Sequence, residues 1–189
     1  MSTYPVVYEQ SPLVQRSRLT VFFRMFMVIP QLIWLLFYGL GAYVVVFIAW
    51  FAILFTGRYP AGMYDFVAGF LRYLTRVNAY MYLVADDYPP FDGAEHPEYA
   101  ANAIVAPPPD KLGRLSTFFR GILLIPVWII QYVFFIWIQL VAIAIWFVAV
   151  FTGKTSPGLT EAVRFPMAYI ARSTAYSLLL TDGWPPFED

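Results

Sequence analysis

The sequence has no cysteine and one histidine, and few of its residues are charged. Without cysteine the chain can form neither a disulfide nor a thiolate metal site, and it has no thiol nucleophile. The single histidine, His96, lies in a polar stretch whose acidic residues match no metal-ligand spacing. These scarcities leave little for hydrolytic or transfer chemistry, so an enzyme is the least favoured class and we expect no cofactor. The formal net charge of zero argues against a nucleic-acid partner, which requires a basic surface.

Apolar residues dominate what remains. The hydrophobic fraction is 60 % and the charged fraction 13 %, whereas ordinary soluble domains have about 45–50 % and about 25 %. No charged residue occurs from Met25 to Thr56 or from Gly121 to Gly153. Both stretches exceed the roughly 18 residues that indicate a transmembrane candidate. The composition therefore predicts an integral membrane protein.

The chain is an internal duplication. "RLTVFFRMFMVIP" at 18–30 recurs as "RLSTFFRGILLIP" at 114–126, and "DDYPPF" ends one copy as "TDGWPPF" ends the other. Phe187 lies 96 residues after Phe91, and the other matches keep the same offset. A fixed offset of this size indicates two fused copies of one structural unit rather than short solenoid repeats.

This organisation predicts four segments: a polar N-terminal arm at 1–17, a membrane repeat at 18–91, an acidic Pro-rich linker at 92–111 and a second membrane repeat at 112–189. In each repeat an apolar segment precedes a stretch with apolar residues at helical spacing and charges on another face. Such a helix is expected at the membrane interface, or packed on the apolar segments. The predicted fold class is therefore an all-α integral membrane protein with two tandem copies of this unit.

Each apolar segment could be one long helix or a hairpin. From Pro30 to Thr56 a single helix would measure about 40 Å, more than the hydrocarbon core of about 30 Å. The segment "YGLGAY" offers a turn in the first copy, and arginines precede the apolar run in both copies. This shared charge bias favours equal orientation of the repeats. We therefore expect a hairpin in each copy and a pseudo-twofold axis along the membrane normal.

The tag that ends each repeat joins aromatic residues to a Pro-Pro pair. A Pro-Pro pair forces extended backbone, so the preceding helix must stop before it. Its aromatic side chains suit a membrane interface, and Pro-rich segments also fit aromatic grooves on partners. An interfacial anchor and a docking motif both remain open. The tag residues are Tyr88, Pro89, Pro90 and Phe91 in repeat 1 and Trp184, Pro185, Pro186 and Phe187 in repeat 2.

Charged residues that recur in both copies suggest a structural network. Arg24 lies inside otherwise apolar sequence, and Asp86 follows the amphipathic helix that carries Arg76. An unpaired charge in a low dielectric is costly, so the arginine is expected to find a carboxylate or to reach lipid phosphates. We predict a network of Arg24, Arg76 and Asp86, repeated as Arg120, Arg172 and Asp182.

The sequence resembles a prokaryotic membrane family known as domain of unknown function 4389 (DUF4389). The resemblance lies in "WFAILFTGRYPAGMYDFVAGFLRYLTRVNAYMYLVADDYPPF" at 50–91 and in the preceding "RLTVFFRMFMVIPQL". The second copy departs from the pattern with "TGKTSPG" at the turn and Trp184 in place of Tyr88. The resemblance implies an integral membrane protein and carries over no activity, cofactor or catalytic residue.

Three function classes follow from these observations. We expect a non-enzymatic integral membrane subunit or scaffold that associates with itself or with a larger membrane complex, in contact with lipids. A small transporter or channel is the alternative, although neither apolar run carries the acidic or basic residue that ion pathways usually need. A membrane enzyme is the third class. The expected location is the cell membrane, multi-pass or re-entrant, with termini and linker in the cytoplasm.

Overall fold

The computed structural model describes residues 4–11, 18–154 and 156–187. Within these ranges the chain forms six helices and two strands. In chain order they are β1 (Val6–Gln10), α1 (Arg18–Met27), α2 (Ile29–Thr56), α3 (Ala61–Met81), β2 (Ala101–Val105), α4 (Arg114–Phe118), α5 (Arg120–Thr152) and α6 (Pro157–Ser177).

Both apolar segments are continuous helices, so the expected hairpin is wrong. α2 passes through Gly39 and Gly41 without a turn. A Cβ atom at Gly39 would lie 3.4 Å from the ring of Phe70, and one at Gly41 would lie 3.5 Å from the ring of Phe66. The glycines therefore make room for aromatic rings of α3 instead of reversing the chain. α2 ends at Gly57, whose φ of 74° and backbone hydrogen bond to the carbonyl of Ile53 form a glycine C-cap.

Each repeat is an antiparallel pair of helices in which the second helix is largely buried. In repeat 1, α3 returns along α2, so that Phe70 contacts Gly39 while Tyr80 lies beside Arg24. Although Phe66 is 41 % exposed, most apolar side chains of α3, among them Val67 and Leu71, are buried. They pack on α2, on the strands and on the second repeat instead of facing lipid. The packed setting expected for this helix is thus confirmed, and the interfacial setting stays a prediction.

The long helices of the two repeats run antiparallel to each other, whereas the expected equal orientation relative to a membrane stays a prediction. The indole N–H of Trp50, near the end of α2, donates to the carbonyl of Thr117 at 2.9 Å. At the other end, Val21 of α1 packs against Ile145 and Ala149 of α5. The start of each repeat thus meets the end of the other long helix, and the pseudo-twofold axis is perpendicular to these helices.

Arg24 and Arg120, which contribute to the charge bias of the two repeats, are not exposed topology signals. Arg24 and Arg120 are each only 3 % exposed, and both are bonded inside the protein. A cation whose charge is compensated internally does not select a side of a membrane. The equal bias of the two repeats is therefore compatible with opposite directions.

A two-stranded antiparallel ribbon corrects the all-α expectation. β1 pairs with β2 in a register that sets Val6 opposite Val105. The predicted polar arm and linker therefore contain structure, because alternate residues such as Val6, Tyr8 and Ala103 are buried against the helices. β2 packs along α3 and β1 along α6. α3 and α6 consequently lie between the ribbon and the two long apolar helices.

Candidate functional site

Arg24 is the centre of the charged cluster in repeat 1. Its Nη1 donates to the carbonyls of Tyr80 at 2.9 Å and of Ala85 at 2.7 Å, and its Nη2 donates to the carboxylate of Asp86. The guanidinium carbon also lies 4.3 Å from the ring centroid of Tyr80, a cation–π distance. The buried charge is therefore compensated by a carboxylate, two carbonyl dipoles and an aromatic face, and the last turn of α1 is fastened to the end of α3.

A tight turn after α3 directs Asp86 back to Arg24. Leu83 adopts a left-handed conformation with φ of 62°, and the N–H of Val84 donates to the carbonyl of Ala79 at 2.8 Å. Leu179 repeats this conformation after α6 with the same φ. A left-handed leucine is unfavourable in isolation. Its side chain is buried in both repeats, so packing holds the turn that positions each aspartate.

The cluster in repeat 2 keeps the pair but changes its surroundings. Arg120 Nη2 donates to Asp182 Oδ1 at 2.8 Å, and its guanidinium lies 3.9 Å from the ring centroid of Tyr176. Asp182 also accepts hydrogen bonds from the Ser116 hydroxyl at 2.9 Å and from the backbone N–H of Gly113. Among the described residues Arg120 Nη1 has no hydrogen-bond partner, whereas its counterpart on Arg24 binds two carbonyls. The carboxylate is thus held more firmly in repeat 2, and the arginine less so.

The structure does not join Arg76 to these pairs, which corrects the predicted three-residue network. Arg76 is fully buried and donates to the carbonyls of Ala94 at 2.7 Å and Asp92 at 2.6 Å, with the Asp92 carboxylate at 3.4 Å. Its repeat-2 counterpart, Arg172, donates to the carbonyl of Pro186 at 3.5 Å. Arg76 thus holds the chain that follows the first Pro-Pro pair, and Arg172 holds the second pair itself. Backbone carbonyls in these irregular segments have no donor from a helix or sheet.

Each tag packs its first proline inward and leaves its aromatic residues half exposed. Pro89 is buried, and its carbonyl accepts from Gln31 Nε2 at 2.7 Å. Tyr88 and Phe91 are 40 % and 45 % exposed, and Trp184 and Phe187 are 44 % and 53 % exposed. The rings lie beside buried tyrosines of α3 and α6, at centroid distances of 5.1–5.8 Å where these contacts occur. This placement suits an anchor and leaves a docking role open.

The linker carries an exposed acidic surface beside α3. Glu95 bonds Arg72 at 2.8 Å, and His96 lies between Glu98 at 2.8 Å and Asp92 at 3.0 Å. Hydrogen bonds that the carboxylates of Glu98 and then Asp92 accept from the imidazole raise the pKa of His96. In the ranges that the structure describes, no three histidine, aspartate or glutamate side chains converge as metal ligands.

A shallow apolar groove of about 370 Å³ separates the C-terminal half of α2 from the start of α5. Tyr43, Phe47, Trp50 and Leu124 are among its lining residues. Arg120, which also lines it, is already bonded to Asp182. The exposed lining of the groove is mostly apolar.

Sequence reasoning missed the buried role of Gln31. This side chain is fully buried, accepts a hydrogen bond from the Tyr73 hydroxyl and donates to the carbonyl of Pro89. A lone polar residue within a charge-free run is a signal for such a bond.

The helices and their repeated clusters define a class: a mostly helical protein of two antiparallel repeats, with two helices long and apolar enough by length and composition to cross a membrane. The profile of the family described as "Domain of unknown function (DUF4389)" matches residues 18–92 and again residues 114–188. The chain belongs to this family and carries two copies of its domain, which confirms both the duplication and the resemblance. No curated protein and no solved structure matches the chain.

Proposed function

We propose that this protein is a non-enzymatic integral membrane subunit or scaffold that associates with itself or with a larger complex in the cell membrane. The observation that carries the proposal is the exposure of the two apolar helices. In an 18-residue apolar stretch within each of Thr20–Thr56 and Arg120–Thr152, only 17 % of the residues are buried inside the protein. A core helix of a soluble protein would be mostly buried, and water does not support an exposed apolar surface of this size.

The buried polar groups support a structural role. Arg24, Arg120, Gln31 and Arg76 each bond to backbone or side-chain groups that close the helical repeats. These side chains stabilise the fold, and because they are already bonded within the protein they are not free to react with a substrate. The surface left for function is the apolar layer, the half-exposed tags and the acidic linker.

Membrane attachment is tested by carbonate and high-salt washing of membranes from cells that express the chain. Hydrophobic attachment predicts retention in the pellet under both conditions and release only by detergent. Recovery in the carbonate supernatant would contradict integral attachment.

Association is tested by purification in a mild detergent, followed by mass measurement and identification of co-purifying proteins. A scaffold predicts a stable oligomer or a defined membrane partner at stoichiometric amounts. A monomer that brings down no protein in several mild detergents would refute the scaffold role while leaving the attachment intact.

A small transporter is the second candidate, and the antiparallel repeats favour it because many transporters are built from inverted repeats. The close packing between the repeats argues against a transport pathway. Between α3 and α6 the space is only about 10 Å³, about the minimum that holds one water molecule. Flux of ions or small solutes into liposomes containing the purified protein would distinguish the two candidates.

A further inference from the structure

The apolar helices are too long for an upright crossing. Exposed large apolar side chains extend from Phe22 to Phe55 on α1 and α2, and from Leu115 to Phe151 on α4 and α5. At 1.5 Å per residue each surface is about 50 Å long, whereas the hydrocarbon core is about 30 Å thick. A crossing helix would need a tilt of about 50° to bury this length, outside the usual range of 0–40°.

Exposed carboxylates lie beside the middle of these helices. Gly93 packs against Gly69 of α3 and against the hydroxyl of Tyr38, which lies midway along the first apolar helix. The neighbouring Asp92 and Glu95 have side chains 52 % and 72 % exposed. If α2 stood upright in a bilayer, these carboxylates would lie near its centre, where one charge costs at least about 2.5–3.5 kcal/mol.

The fold separates apolar and polar surfaces into layers that run parallel to the helices. α2 and α5 form one outer layer, α3 and α6 the middle, and the β1–β2 ribbon with the linker the opposite side. A layer of helices is about 10 Å thick, which fits within one half of a hydrocarbon core of about 30 Å. The half-exposed tags pack on α3 and α6, at the level where headgroups would meet the protein.

Most of the exposed anions lie on the ribbon and linker side, although Asp65, Asp110 and Glu161 are exposed near the same helix ends as the cations. Four exposed cations lie near the C-terminal ends of the long helices: Arg58, Lys111 and Arg114 beside the end of α2, and Lys154 after α5. The ribbon and linker carry the anions Glu9, Asp87, Asp92, Glu95 and Glu98. Cations at the rim of the apolar layer attract anionic headgroups, while the anionic side faces away from them.

We propose that the protein is monotopic: α2 and α5 lie parallel to the membrane plane within the acyl chains of the cytoplasmic leaflet, and the ribbon and linker face the cytoplasm. This inference rests on the proposed membrane function and replaces the crossing helices with an in-plane apolar layer. The occupant of the exposed helix faces is the lipid acyl chain. The antiparallel repeats then give both ends of the layer the same depth, which a crossing arrangement would not.

The native chain lacks cysteine, so single cysteines report topology without background. Arg58→Cys and Lys154→Cys mark opposite ends of the apolar layer, and Glu95→Cys marks the acidic side. With a membrane-impermeant maleimide, all three variants are expected to react in inside-out vesicles and not in intact spheroplasts. Reaction of Arg58→Cys and Lys154→Cys from opposite sides of the membrane would overturn the proposal in favour of crossing helices. Reaction of all three only from outside would overturn the cytoplasmic assignment.

Spin labels measure the depth of the apolar layer directly. Met25, Leu36 and Phe55 are 76 %, 60 % and 77 % exposed, and cysteine at each carries a nitroxide in reconstituted vesicles of phosphatidylethanolamine and phosphatidylglycerol. In-plane helices predict depths, from oxygen and nickel accessibility, that agree within a helix diameter of about 10 Å. A progression from one headgroup region through the centre to the other would overturn the proposal. Carbonate release of the unlabelled chain, by contrast, would refute the membrane function itself.

Discussion

The buried pair of Arg24 and Asp86 predicts a specific loss of stability when its carboxylate is removed. Asp86→Asn keeps the shape of the side chain and leaves an arginine that is 4 % exposed without its counter-ion. Breaking a buried pair costs about 3–5 kcal/mol. Asp86 is 25 % exposed, and Arg24 keeps two carbonyl partners and the Tyr80 ring. We therefore expect a smaller loss of about 2 kcal/mol in the free energy of unfolding.

A double-mutant cycle isolates the interaction from the cost of each substitution. Arg24→Met, Asp86→Asn and the double variant are unfolded by sodium dodecyl sulfate in mixed micelles, with the six tryptophans as fluorescent reporters. We expect a coupling energy of about 1–2 kcal/mol, within the range for residues in direct contact.

The exposed pair of Arg72 and Glu95 is the matched control. Its atoms lie 2.8 Å apart, but the glutamate side chain is 72 % exposed, so its coupling energy is expected below about 1 kcal/mol. If the losses of unfolding free energy for Arg24→Met and Asp86→Asn added within about 0.5 kcal/mol, the pair would not stabilise the packing of α1 on α3. Equal coupling in the control pair would show that burial does not set the strength.

Three further predictions concern single side chains. Gln31→Leu removes the partners of Tyr73 and of a tag carbonyl, so unfolding free energy should fall by about 1–3 kcal/mol, whereas the exposed Gln139→Leu should cost nothing. Gly93→Ala places a Cβ 2.6 Å from Gly69 Cα and should cost about 1–3 kcal/mol. Gly62→Ala meets nothing within 4 Å and should be neutral in the same assay. The pKa of His96 is raised in the folded state. Its contribution to the free energy of unfolding is therefore complete below about pH 6.5, the ordinary pKa of histidine, and is lost as the pH rises through the raised pKa. The melting temperature of the wild type should fall over that window, and that of His96→Gln should not; parallel curves would refute the assignment.

Local patterns in the sequence were sufficient for the duplication, for the two apolar segments and for the glycines that end them. Gly57 and Gly153 end the charge-free runs, and a left-handed C-cap depends on the residue itself and its immediate neighbours. Constant offset between the copies likewise singled out Arg24 with Asp86 and Arg120 with Asp182, the pairs that the structure brings together. An arginine that is buried in both copies needs a carboxylate that is also present in both copies. Few carboxylates meet this condition, so the choice of partner was narrow.

The ribbon was missed because its signal is short. Five residues of each strand alternate in burial, and the strands are separated by the whole first repeat. A pairing over that distance depends on the helices that bring Val6 and Val105 together. Similarly, the glycines of "YGLGAY" permit either a turn or close packing against another helix. Only the tertiary contacts with the rings of Phe66 and Phe70 show that the segment continues as a helix.

The direction of the repeats was decided by tertiary structure alone. Composition and periodicity determined that there are two equal units, each with a long apolar helix and a partly polar one. The local sequence does not determine whether Arg24 and Arg120 face lipid headgroups or the protein interior, because lipid phosphates and protein carboxylates can both compensate an arginine. In the folded chain both are buried in ion pairs, and contacts such as Trp50 with Thr117 determine the antiparallel arrangement. Relative orientation depends on surfaces that exist only after each repeat has closed.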